Sequence, residues 1–215
     1  SWVNLPTTEV TMYTGGGLQR IYEINLDYGA SVASLASRKE ILSAELTELA
    51  GRVTSRGEAY RALQAATVVM ETCASNAEAG DTLWDAVHLG AAESRGMALA
   101  FKALCDIVEV DCTVVAGRLD RAEHYWNIVT VDGASYHVDV SAAAERGLAA
   151  TFFISDADMW GHYWWDNENY PQCDGALSYA ALTEEPDSVE TEAPEASPSP
   201  EVSPSQEPET ENPQM

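Results

Sequence analysis

Three short stretches hold the side chains best suited to nucleophilic chemistry: Ser94-Arg95-Gly96-Met97-Ala98, His124-Tyr125-Trp126-Asn127 and Tyr136-His137-Val138-Asp139. In that order they supply a hydroxyl, an imidazole and a carboxylate, the groups needed as nucleophile, general base and orienting partner. Such a trio works only if the fold brings the three side chains into one place, so the elements that carry them decide whether the reading has content.

Residues 124–131 and 134–140 are rich in β-branched and aromatic side chains, and Asp132-Gly133 between them is a two-residue hairpin signal. That turn sets Val131 opposite Ala134, and by extension Trp126 opposite Asp139 and His124 opposite Ser141. His124 and Asp139 then become diagonal neighbours on one face, about 7–8 Å apart at the backbone and within side-chain reach. A one-residue slip would separate them to opposite faces.

The run Met97, Ala98, Phe101, Leu104, Cys105, Val108 has the three-and-four spacing of an amphipathic helix. Glu93 or Ser94 falls at its start, where free N–H groups and the helix dipole favour developing negative charge. Serine is also a favoured N-cap, so Ser94 reads either as a cap or as a nucleophile.

From about residue 57 to 180 the chain resembles a bacterial transglutaminase-like domain of the papain-like cysteine protease and transglutaminase superfamily. The family pattern is roughly Cys-x-Gly-Tyr-Ala, His-Ala-Trp-Asn and Trp-Tyr-His-Val-Asp. Here Gly96, Ala98, Phe101, Leu104, Gly117, Trp126-Asn127, the Asp-Gly turn and His137-Val138-Asp139 fit it in order. Phe152 to Asp156 and Tyr170 to Cys173 are similar to its downstream part. The resemblance implies an α+β fold, with helices packed on an antiparallel sheet and the nucleophile position at a helix N-terminus. It puts Ser94 where the family has its nucleophilic cysteine, His124 at the base and Asp139 at the third position. Arg95 and Trp126 are expected near the cleft.

The departures cluster around that position. Ser94 replaces the thiol, Met97 the usual aromatic, Arg95 adds a charge, and Ser141-Ala142-Ala143-Ala144 stands where Thr-Trp-Asp is common. Drift of the whole site accounts for this better than a single exchange. A cysteine beside an imidazole forms a thiolate near neutral pH, whereas a serine must lose its proton in the transition state. An oxygen held in a site shaped for sulfur also sits out of line, and about 1 Å of misplacement can cost about a hundredfold. The expectation is a non-catalytic binding or structural module. The alternative is a Ser-His-Asp hydrolase or acyltransferase acting on amide or ester bonds of peptide or cell-wall substrates.

The 215 residues, 46% hydrophobic, divide into a globular domain over 1–183 and an appendage over 184–215. The appendage has seven of the nine prolines, ten acidic residues and no Lys or Arg, the composition of a disordered linker or stalk. Of the formal charge of −24, −14 remains on the body, which argues against nucleic acid as a partner. No stretch has the length of apolar sequence needed to insert in a membrane, and Ser1-Trp2 opens no signal peptide, so one is absent or removed. The resemblance and the stalk-like tail point to the cell surface or extracellular space, with a peptide, a protein or a cell-wall glycan as partner.

Cys105 with Cys112 and Cys73 with Cys173 are conceivable pairs, but spacing does not decide, and buried free thiols are the alternative. His124, His137, Asp139 and His162 offer metal-ligand atoms, yet the hairpin explains His137 and Asp139 and no zinc-type spacing is present. No metal or cofactor is expected. The run Trp160-Gly161-His162-Tyr163-Trp164-Trp165 reads as buried anchors or, if exposed beside the cleft, as a surface for stacking on peptide or sugar. Further strands are expected over Val10–Tyr13, Arg20–Leu26 and Cys112–Gly117, with helices over Leu35–Val53, Glu58–Cys73 and Asp81–His88.

Overall fold

The Asp132-Gly133 turn closes as its sequence demands: both residues take positive φ, 50° and 80°, the geometry that lets two strands meet with their natural twist. The computed structural model describes residues 7–17 and 20–184, so the acidic segment from 185 onward and Ser1-Trp2 lie outside the described residues. On either side of the turn, β6 (Ala122–Val131) pairs with β7 (Ala134–Val138) from Val131↔Ala134 to Asn127↔Val138. The expected register holds. The second strand stops earlier than expected, at Val138, because the Asp139 N–H turns away to donate to the Thr151 carbonyl.

Strand β5 (Asp111–Leu119) pairs antiparallel with β6 along its own whole length and closes on it through Asp120-Arg121, again with both φ positive. The strand runs two residues past the expected end at Gly117, because Arg118 and Leu119 pair with β6 on one side and with Trp164 and Tyr163 on the other. Two short strands, β8 (Phe152–Ile154) and β9 (Tyr163–Trp165), complete a five-stranded antiparallel sheet of order β8-β7-β6-β5-β9. The hairpin β1 (Thr7–Thr14) and β2 (Arg20–Asp27) forms a separate two-stranded sheet, and β3 (Ala74–Ser75) pairs in parallel with β4 (Ala91–Ala92).

The helices are α1 (Val32–Ala50), α2 (Glu58–Thr72), α3 (Leu83–Val87) and α4 (Ser94–Ile107). Three one- or two-turn segments follow: α5 (Ala143–Arg146), α6 (Asp156–Met159) and α7 (Tyr179–Glu184). This is an α+β fold in which helix α4 packs on β5 and β6, and α2 packs on α4 and β6. Period-two alternation divides β6 between two cores. Val129 and Val131 join Phe101, Leu104 and Cys105 of α4, whereas Trp126 and Ile128 join Val115, Met159, Tyr163 and Cys173 on the other face. Buried Asn127 donates from Nδ2 to the Ala98 carbonyl at 3.1 Å and so pins β6 to the first turns of α4.

All four cysteines are buried and free, so neither conceivable disulfide is present. Cys105 and Cys112 do lie side by side, but Cys73 and Cys173 belong to different cores. No described helix is long and apolar enough to cross a membrane.

Candidate active site

Glu93, not Ser94, occupies the N-cap of α4, and its side chain makes no capping bond. Ser94 is therefore the first helical residue, and its Oγ accepts from the backbone N–H of Tyr125 at 3.2 Å. The capping reading of Ser94 is replaced by a contact that ties the helix start to the strand carrying His124. Ser94, His124 and Ser141 line one cleft of about 440 Å³, with Glu93, Asp120, Glu123, Glu145 and Arg146 around it.

His124 and Asp139 meet as the hairpin register anticipates, with Nε2 of the ring 2.7 Å from Oδ2. Asp139 is 2% exposed, and a buried carboxylate is tolerated only when its lone pairs are filled. They are. Oδ2 also accepts from the Tyr163 hydroxyl at 2.9 Å, and Oδ1 accepts from Ser141 N, Ser141 Oγ and Ala142 N at 3.1, 2.7 and 2.9 Å. Burial disfavours the Asp139 charge, but the His124 hydrogen bond and charge, with those from Ala142 and Ser141, outweigh it and hold the carboxyl below its usual range. Burial and the Asp139 charge together push the Tyr163 hydroxyl up, so it stays protonated and donates.

The third link is missing. Among the described residues no hydrogen bond joins Ser94 Oγ to the His124 ring: Oγ meets the Tyr125 backbone instead, and Nε2 faces Asp139 with Ser141 Oγ at 3.5 Å. The result is a well-built imidazole–carboxylate pair beside a hydroxyl that has no base on its proton. A general base works from hydrogen-bond reach, about 2.6–3.2 Å between its own heavy atom and the one that carries the proton.

The other expected cleft residues scatter. Trp126 is fully buried, and its indole N–H donates to His137 Nδ1 at 3.0 Å, so it supports the second core and does not line the cleft. Arg95 pairs with Asp81 and lies 5.9 Å from the Tyr125 ring centroid, and it is absent from the cleft lining. Along β9 the aromatic run alternates, with Tyr163 in the core, Trp164 exposed and Trp165 half-buried, and Trp160, at the end of α6, is exposed as well. Ser141 and Tyr163 are the partners that sequence reasoning missed. Three consecutive aromatics at 163–165 show no alternation, so nothing in the sequence singled out Tyr163 as the inward one.

His137, Asp156 and Cys173 place ligand atoms within 4.8 Å of one another. Each is already committed. Because the Trp126 indole donates to His137 Nδ1, the ring proton of a neutral His137 sits on Nε2, which donates to Asp156 Oδ1 at 2.8 Å. Asp156 Oδ2 accepts from Cys173 N, and burial lifts the Cys173 thiol to about 12. The imidazole nitrogen facing this trio carries a proton where a metal would need a lone pair, so the donor set does not fit a metal.

No protein-family model matches the chain, and no curated protein matches it. Among solved structures it is similar to a TGase at 12% identity and a TM-score of 0.44, covering 62% of this chain and 44% of that one. A candidate cysteine protease from Cytophaga hutchinsonii is 12% identical with a TM-score of 0.40, covering 46% and 37%. A candidate protease from Parabacteroides distasonis is 11% identical with a TM-score of 0.38, covering 66% and 37%. In each case the matched region spans less than half the length of the solved chain.

Proposed function

We propose that this protein is a transglutaminase-like domain that has lost acyl-transfer chemistry and acts as a binding module. The observation that carries the reading is the broken link at the nucleophile: Ser94 Oγ accepts from the Tyr125 N–H and makes no bond to His124. A serine in this position has neither the low pKa of a thiol nor a base to remove its proton. The His124–Asp139 pair is retained as a buried polar network that fixes the sheet against the 139–142 turn. The composition of residues 184–215 supports display at the cell surface, with a peptide, protein or glycan as the bound partner.

A second reading, an active serine hydrolase, draws on one observation: Asp139 keeps a full set of hydrogen bonds and orients His124. A fluorophosphonate probe separates the two. The expected outcome is no labelling of the wild-type chain. Stoichiometric labelling that vanishes in Ser94→Ala would establish the hydrolase and overturn the binding-module reading.

A further inference from the structure

A groove of about 460 Å³, with Tyr163 in its wall, is lined by aromatic rings and carboxylates. Trp160 and Trp164 are 72% and 62% exposed there, and Asp156, Asp166 and Glu168 share the lining. Among the described residues no Lys, Arg or His lines it. We propose that this groove binds the lysine or arginine side chains of a basic peptide segment.

Three carboxylates in one groove repel one another, and a guest cation removes that repulsion while gaining Coulomb attraction. Asp166 is braced by the Asn169 amide, a neutral group. Asp156 accepts from His137 and from Cys173 N, and because burial lowers the His137 pKa these are neutral donors that bring no countercharge. Indole faces are the best aromatic hosts for a cation. Trp164 already attracts one: the Arg118 guanidinium, in the neighbouring cavity, lies 6.0 Å from its ring centroid. The volume suits a side chain with its ammonium or guanidinium head, and the body's surplus of acidic residues would draw a basic segment towards it. A neutral glycan would also stack on indoles, but it would leave the three negative charges unmatched.

Hexalysine and the neutral glycan chitotetraose, titrated against the full chain by tryptophan fluorescence and calorimetry, test this. Hexalysine should bind and chitotetraose should not, and Trp164→Ala should weaken hexalysine binding by about tenfold. Asp166→Asn/Glu168→Gln should weaken it too, and gives the same test if an indole variant fails to fold. Ser94→Ala should leave hexalysine binding unchanged, which keeps this proposal separate from the fate of the nucleophile position. Absence of hexalysine binding at low salt would overturn the proposal. So would hexalysine affinity that ignores both the indole and carboxylate variants, since the attraction would then belong to the acidic body at large. Chitotetraose binding lost in Trp164→Ala would make the groove a glycan site instead.

Discussion

The Tyr163 hydroxyl and the His124 ring share one oxygen of Asp139, at 2.9 and 2.7 Å. Tyr163 sits on β9, at the sheet edge remote from the β6–β7 hairpin, so this bond ties the end of the sheet to the buried carboxylate. The ring also packs edge-on against Trp126 with centroids 5.2 Å apart.

Tyr163→Phe keeps that packing and removes only the donor. It leaves a lone pair of a buried carboxylate unfilled, which costs about 1–3 kcal/mol. Urea unfolding should show the loss. Unchanged stability would mean that water replaces the hydroxyl and that the oxygen is not sealed.

Ser94→Cys places a thiol at the start of α4 in the cleft that His124 lines. It should react with iodoacetamide near neutral pH faster than an ordinary exposed thiol. The background is low, since the four native cysteines are buried and burial lifts Cys73 to about 11 and Cys173 to about 12. Amidase or transglutaminase turnover should stay at background because the bond from this position to His124 is absent. Robust turnover by the single variant would show that the scaffold remains competent.

His137 is 1% exposed, and burial lowers its pKa although Asp156 pulls the other way. The unfolded chain therefore binds a proton at this residue at a pH where the folded chain does not. Its contribution to stability is complete above an unfolded value of about 6.5 and is lost as pH falls through the lower folded value. Melting temperature should fall between pH 7.5 and 5, and His137→Gln should flatten the decline. An identical slope in the variant would assign the acid sensitivity elsewhere.

Gly117 lies where β5 passes between β9 and Trp126. A Cβ there would stand 2.4 Å from the Trp164 carbonyl oxygen and 2.5 Å from the Trp126 ring. The oxygen belongs to paired backbone and cannot retreat without opening β5–β9. Gly117→Ala should cost about 1–3 kcal/mol by overpacking, read from chemical denaturation. A change under about 0.5 kcal/mol would show that β9 is loosely held.

The meeting of His124 with Asp139 was legible in the sequence because a two-residue Asp-Gly turn allows one register, and register decides which side chains share a face. The helix from Ser94 was legible for a similar local reason, its apolar spacing. What the tertiary structure alone decided is contact between segments with no fixed spacing. The β9 strand folds back against β5 and delivers Tyr163 to Asp139, and the Ser94 hydroxyl meets a backbone N–H of β6 where sequence order alone suggested an imidazole. Trp126 turned inward for the same reason: alternation fixes its face, but only the packing of β9 and the 156–173 segment makes that face a core. Short-range rules set the direction of a side chain, and the chain's return path sets what it meets.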